Sequence, residues 1–251
     1  MNHPVDWEVP PAAPALADGE VHVWRIGLQL PPSRMEQLQA MLDAGETQRA
    51  ARFYFDKDRR RFIVAHAAMR MILGAYLQLD PAGLQLGRNA YGKPELQDNR
   101  TAVAVRFNLS HSGELALFAV ARDRNLGVDV EQVRPVQELL QLAQRFFTPQ
   151  EVNVLRQIPA EGRLLAFFNC WTRKEAFIKA NGMGLSLPLD QFEVTCAPGE
   201  PARLLRHPPA GGELAPWSLH AFTPAEGYVA ALAVQGELQW LKCWQWREQT
   251  V

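Results

Sequence analysis

The sequence predicts an α+β protein, and three observations carry that expectation. Helix-periodic and strand-like stretches alternate irregularly, without the βαβα rhythm of a doubly wound sheet. Strand-like runs sit next to one another across short turns, as at Ser112-Gly113, the mark of an antiparallel hairpin. Each half of the chain also runs strand, helices, strands, which permits two similar subdomains, although no short-period repeat is present.

Taken in order, Val21 to Leu30 is rich in β-branched and aromatic residues and stops at Pro31-Pro32, so it reads as a strand. Pro32 and Ser33 open a helical stretch to about Ala51. A second helix is expected from Asp58, as N-cap, to Leu79. Its apolar residues Phe62, Ala65, Met69, Ile72, Leu73 and Tyr76 recur at three and four, and Asp80-Pro81 stops it. Tyr91 to Pro94 (YGKP) is a turn signal, and strands follow at Val103 to Leu109, Glu114 to Ala121 and Leu126 to Val130. Pro135 begins another helical region, interrupted where Thr148 can cap and Pro149 can take the first helical position. The strongest helix of the second half spans Arg163 to Ala180 and ends at Asn181-Gly182. Strand-like runs then occur at Phe192 to Cys196, Trp217 to Phe222, Tyr228 to Val234 and Leu238 to Trp246. The Pro- and Ala-rich first twenty residues read as a loosely ordered extension, leaving subdomains at 21–121 and 122–251.

Composition narrows the function classes. The chain has 251 residues, 47% apolar and 21% charged, enough for a sizeable core. A formal charge of −1 gives no support to a nucleic-acid partner. Cys170, Cys196 and Cys243 are odd in number and lack C-x-x-C spacing, which argues against a disulfide framework or a zinc site and suits a reducing compartment. The N-terminus lacks the basic and apolar regions of a signal peptide, and no stretch approaches a membrane span. A soluble cytoplasmic chain with no membrane partner is expected.

Four features bear on chemistry. Asp129 and Glu131, in GVDVE, stand two apart on a strand and leave the same face, while Val128 and Val130 point inward. Adjacent carboxylates repel, so either the face is solvated or a hard divalent cation lies between them. Trp171, Glu175 and Lys179 are four apart and share one helix face. The helix is otherwise so apolar that its charges need partners, which favours a site over a surface ion pair. Ser110 and His111 end a strand at a tight turn. Neighbours on a strand point oppositely, so they cannot pair for nucleophilic catalysis, and no G-x-S-x-G elbow occurs. Arg59, Arg60 and Arg61 lie in a first helical turn, as a solvated face or an anion site.

These residues bring a family with them. G-V-D, then 41 residues, then W-T-x-K-E-A-x-x-K resembles the bipartite signature of the 4'-phosphopantetheinyl transferases. Y-G-K-P, F-N-L-S-H-S-G, ARFYF at Ala51 to Phe55 and GLSLPLDQFEV from Gly184 resemble the large, surfactin-type branch, over residues 21 to 235. The resemblance implies two similar subdomains related by a pseudo-twofold in a monomer, with coenzyme A bound between them. It implies transfer of phosphopantetheine to a serine of an acyl, peptidyl or polyketide carrier protein, releasing adenosine 3',5'-bisphosphate. It places Asp129, Glu131 and Glu175 as Mg²⁺ ligands, Mn²⁺ being an alternative ion. Asp129, Glu175 and Lys179 become the catalytic set, with Lys179 facing the pyrophosphate and Glu175 the best candidate base. Coenzyme A falls to Arg49, Lys93, Ser110, His111, Lys174 and Lys179, with Ser110 and His111 at the 3'-phosphate and Lys93 near the adenine. Glu46 departs from the pattern, standing where a lysine is expected. Another Mg²⁺-dependent phosphoryl enzyme would need the same carboxylates, although the P-loop G-x-x-x-x-G-K-[ST] is absent. A non-catalytic carrier-binding module is the other alternative.

Overall fold

The computed structural model describes residues 3–97, 104–207 and 216–247. In chain order the strands are β1 (His3–Pro4), β2 (Glu20–Gly27), β3 (Leu86–Arg88), β4 (Pro94–Leu96), β5 (Val105–Ser112), β6 (Leu115–Arg122), β7 (Leu126–Gln132), β8 (Glu193–Val194), β9 (Leu204–Arg206), β10 (Trp217–Thr223), β11 (Tyr228–Gln235) and β12 (Trp240–Gln245). The helices are α1 (Met35–Gln39), α2 (Ala44–Ala51), α3 (Asp56–Leu77), α4 (Leu139–Phe146), α5 (Pro149–Gln157) and α6 (Ala160–Asn181).

Two four-stranded sheets form, ordered β12-β2-β6-β5 and β1-β10-β11-β7. The two halves repeat one plan. A first strand (β2 or β7) leads to a 22-residue helix (α3 or α6), and a hairpin returns so that its second strand pairs with the first. This is the expected pair of similar α/β halves.

Strand alternation explains the layering. In β2 and β6, Trp24, Ile26, Ala116, Phe118 and Val120 face α3. Val21, Val23, Leu117 and Ala119 on those strands meet Val128, Val130, Ala230 and Leu232 of β7 and β11 in a core between the sheets. Val229, Ala231 and Ala233 face α6 instead. The inward-facing Val128 and Val130 leave Asp129 and Glu131 on the α6 side.

Several boundaries differ from expectation. The predicted helix ending at Ala51 divides, because Asp43 caps α2 in a capping box with Glu46. α3 starts at Asp56 instead of Asp58. Thr148 caps α5 with Pro149 at its first position, as the sequence suggests. The start of the expected strand at Val103 lies outside the described residues. YGKP turns a hairpin of three-residue strands, β3 and β4, too short to show a period.

The subdomain limits need correction at both ends. β12 pairs in parallel with β2, so the last strand of the expected 122–251 unit completes the other sheet. β1 pairs in parallel with β10. The Glu8 N–H donates to the Cys243 carbonyl at 3.0 Å, and the Gln245 N–H to the Glu8 carbonyl at 2.8 Å. The Trp7 ring packs on Phe222, with the Arg25 guanidinium 4.9 Å over it. The segment read as a loose extension is thus a strap tying both sheets, through edge pairing that composition does not reveal. Among the described residues, no helix is long and apolar enough to cross a membrane.

A buried polar network at the start of β2 gives the fold a pH dependence. The Tyr76 hydroxyl lies 2.6 Å from His22 Nδ1, and His22 Nε2 lies 3.2 Å from Glu20 Oε2. Lys242 Nζ is 2.7 Å from Glu20 Oε1 and pulls that carboxyl down to about 2. Burial holds His22 below its usual 6.5, so the fold takes up this proton at lower pH than the unfolded chain does. The unfolded chain binds protons at both residues as pH falls, first at His22 below 6.5 and then at Glu20 below 4.5. Stability is therefore expected to decline steadily below about pH 6.5. The urea midpoint of His22→Gln should fall less between pH 7 and 5 than that of the wild type; an equal fall removes His22 from the account.

Candidate active site

The site lies where the edge strands of the two sheets, β5 and β7, come together. Alternate side chains of β5 reach across to β7. Asn108 Oδ1 accepts from the Val128 N–H at 2.8 Å. The Ser110 hydroxyl donates to Asp129 Oδ1 at 2.9 Å, and the Ser112 hydroxyl to Glu131 Oε2 at 2.7 Å. On the other side, α6 rides directly on Gly127. A Cβ there would stand 2.2 Å from the Ala176 carbonyl oxygen. That approach brings Lys179 Nζ to 2.5 Å from Asp129 Oδ1 and 3.0 Å from the Ser110 hydroxyl.

Electrostatics mark the cluster as unfinished. Asp129 is 3% exposed, and its Oδ2 is buried without a hydrogen-bond partner. Burial pushes its carboxyl up against the pull of Lys179. Burial also raises Glu131, with the Ser112 hydroxyl opposing and the Asp129 charge adding to the rise. Glu175 is raised by burial too; Lys179 opposes, and the charges of Asp129 and Glu131 add. Lys179 thus meets Asp129 directly, and Glu131 and Glu175 lie near enough for their charges to bear on it. Among the described residues, no three acidic, histidine or cysteine side chains are drawn into a ready-made metal cage. The donor set still fits a hard divalent cation: an orphaned carboxylate oxygen and three mutually repelling carboxylates offer oxygen ligands alone.

A basic groove lies beside this cluster, on the opposite face of β5. Two adjoining cavities of about 280 and 480 Å³ share Arg49, His66, Met69, Arg88 and Pro94. His111 lines the first of them, with Phe53, Phe62 and Phe107 as apolar walls. The Arg49 guanidinium sits 5.1 Å over the Phe62 ring. Desolvation by the groove walls, then the charges of His66 and Lys179, hold His111 below its usual range, although its side chain remains exposed.

Sequence reasoning missed His66 and Arg88. His66 Nδ1 is 2.7 Å from Glu46 Oε1, and its ring stacks on Phe62 at 4.0 Å between centroids. The signal was present: His66 and Arg70 are polar residues four apart in an otherwise apolar stretch of α3. Glu46, the departure from the family pattern, answers both of them. The Arg70 Nε–H donates to its Oε2 at 2.6 Å, with Arg70 fully buried.

Three expectations are corrected. Ser110 does not share the groove with His111, because strand alternation turns its hydroxyl to Asp129 and Lys179. Lys174 is not available to a cofactor. It is fully buried and donates to the Leu189 and Phe192 carbonyls at 2.7 and 2.6 Å, with Glu151 at 2.9 Å. Lys93 lines a crevice of about 50 Å³ at the seam instead of the groove. Its ammonium donates to the Leu126 and Ala180 carbonyls at 2.9 and 3.4 Å, and burial pulls it down to about 8. Of the two readings of the arginine run, the solvated face holds: Arg59 and Arg60 pair with Asp56, and Arg61 pairs with Asp58 and Glu114. Lys174→Met should cost about 3–5 kcal/mol in urea denaturation, because it strands a buried carboxylate. Substrate KM in the folded fraction should not change; a raised KM at unchanged stability would restore Lys174 to the site.

A carboxylate and a lysine apposed at a seam, beside a cationic groove, are what a phosphoryl-handling enzyme needs. The model of the 4'-phosphopantetheinyl transferase superfamily matches residues 125–233, and that of the 4'-phosphopantetheinyl transferase N-terminal region matches residues 31–123. The junction falls between β6 and β7. The 4'-phosphopantetheinyl transferase HetI of Nostoc sp. is 43% identical over 90% of this chain and 92% of its own. The 4'-phosphopantetheinyl transferase Sfp of Bacillus subtilis is 32% identical over 63% of this chain and 68% of its own. The chain belongs to the 4'-phosphopantetheinyl transferase superfamily, and its activity is transfer of the 4'-phosphopantetheinyl group.

Proposed function

We propose that the donor is coenzyme A, the acceptor a serine of an apo carrier protein, and the reaction centre the β5–β7 seam. The observation that carries this reading is the meeting of Asp129 with Lys179 beside a groove that offers arginines and aromatic rings together. Arg49 and Arg88 suit the phosphates of coenzyme A, His111 and His66 can hydrogen-bond them, and Phe53, Phe62 and Phe107 suit its flat base. Asp129, Glu131 and Glu175 would hold a magnesium ion, Mn²⁺ being able to replace it. When bound, that ion supplies neutralisation of pyrophosphate charge.

The residues of the chain do the rest. The carrier serine oxygen forms a bond to the β-phosphorus of the donor, and the phosphoanhydride P–O bond breaks. Adenosine 3',5'-bisphosphate leaves with the electron pair, and the serine proton passes to a base. Glu175 fits that role, since burial raises its affinity for a proton. Lys179, already aimed into the cluster, neutralises charge on the leaving side. A groove of about 350 Å³ lined by Glu131, Val136, Phe167, Phe168 and Trp171 opens beside the carboxylates, and it offers the carrier an apolar seat. One chain supplies both halves of the site, which suits a monomer. Its three cysteines are buried and free, which suits a cytoplasmic enzyme.

Incubation with coenzyme A, Mg²⁺ and several apo carrier proteins tests the reading by intact-mass spectrometry. Gain of one phosphopantetheinyl group on a carrier, with one adenosine 3',5'-bisphosphate released, is expected. Phosphate release from nucleotides with no carrier modified, by folded enzyme, would overturn it.

A further inference from the structure

The strand β5 is two-faced. Phe107, Leu109 and His111 line the groove, which Asn108 also touches, while Asn108, Ser110 and Ser112 bond to β7. Lys179 and Asp129 account for Ser110. Ser112 lies outside both the cluster and the groove, yet its hydroxyl is fixed at both ends. It accepts from the Gln132 N–H at 3.1 Å and donates to Glu131 Oε2 at 2.7 Å.

The turn behind Ser112 is equally tight. Gly113 has φ +57°, and a Cβ on it would meet Gln132 Oε1 at 2.5 Å and the Tyr228 hydroxyl at 2.6 Å. That hydroxyl accepts from the Glu114 N–H at 3.1 Å. The end of β5 is thereby locked onto β7 and β11, and the Ser112 oxygen cannot drift from Glu131. Such an arrangement suits a group that aims a ligand, since partners behind the ligands set their orientation and affinity.

We infer that Ser112 is a positioning residue: donated from one half of the protein, it holds the Glu131 carboxylate of the other half toward the divalent-ion site. This rests on the metal reading of the cluster. It predicts that losing the hydroxyl weakens ion binding without touching the donor groove, which lies across the strand.

Mn²⁺ binding to the full-length enzyme, followed by electron paramagnetic resonance, tests this alongside steady-state kinetics. Ser112→Ala should raise the Mn²⁺ dissociation constant about tenfold. At saturating metal, kcat should stay within about twofold, and KM for coenzyme A should not move. Ser112→Thr should restore the affinity, because it returns the hydroxyl. Ser112→Cys, which keeps the volume with a weak donor, should behave like the alanine variant and serves if that variant fails to fold. Wild-type affinity in Ser112→Ala or Ser112→Cys overturns the inference, as does an equal loss of coenzyme A affinity. A wild-type enzyme that binds no Mn²⁺ overturns the metal reading itself, a distinct outcome.

Discussion

Asp129→Asn is expected to cut kcat/KM by about a thousandfold or more, roughly 4 kcal/mol of transition-state stabilisation, while leaving the fold intact. The loss follows from position. Asp129 is the carboxylate that both Lys179 and Ser110 contact, and its second oxygen is buried with no partner. An asparagine keeps the volume but removes the charge that any cation at this place must answer. The retention of fold follows from the same facts. Burial already penalises this carboxylate, and the Lys179 side chain is 28% exposed, so its ammonium can turn to water once its partner is neutral. Thermal denaturation should therefore shift by only a few degrees, equivalent to about 1 kcal/mol. A variant with more than a tenth of the wild-type activity would remove Asp129 from the chemistry. One that unfolds would make it a structural residue.

The second large effect is expected at Gly127. A Cβ there meets the Ala176 oxygen at 2.2 Å, the Ala180 nitrogen at 2.3 Å and the Lys179 carbonyl carbon at 2.8 Å, all backbone atoms that no rotamer change can move. Reaching ordinary contact requires α6 to lift from β7 by about an ångström. Overpacking on this scale costs about 3 kcal/mol. The helix carries Glu175 and Lys179, so the shift also separates them from Asp129. Misplacement by an ångström costs about a hundredfold in rate. Gly127→Ala should therefore lower the urea midpoint sharply and lose more activity than its folded fraction explains. Equal loss of both would mean that the close approach serves packing alone. The glycine of the G-V-D signature is thus explained by helix seating.

How far the sequence reached depends on whether each feature is local. The two 22-residue helices were visible because their apolar period is long and their ends are punctuated. Asn181-Gly182 ends α6 with Gly182 at φ 79°; α3 ends at Leu77 on a left-handed Gln78, short of the expected stop at Asp80-Pro81. The parallel pairing of β12 with β2 and the strap from His3 to Glu8 were invisible, since sheet membership joins residues more than 200 positions apart. Among site residues, the faces of Asp129 with Glu131 and of Glu175 with Lys179 followed from strand and helix periods. The corrected residues followed from the same geometry. Lys174 and Lys179 are five residues apart, about 140° around a helix, so they point to different surroundings. Ser110 and His111 are adjacent on a strand and leave it on opposite sides. Family resemblance had placed each pair together, whereas backbone period separates them. Partners such as Glu46 for His66, or Glu151 for Lys174, became visible only with the fold.

Calorimetric titration of Mg²⁺ into the enzyme saturated with coenzyme A tests the carboxylate seam most directly. One binding event per chain is expected in the wild type, and its loss in Asp129→Asn. A wild-type enzyme that takes up no Mg²⁺, or an Asp129→Asn enzyme that binds it as tightly, would contradict the assignment of the reaction centre to Asp129, Glu131 and Glu175.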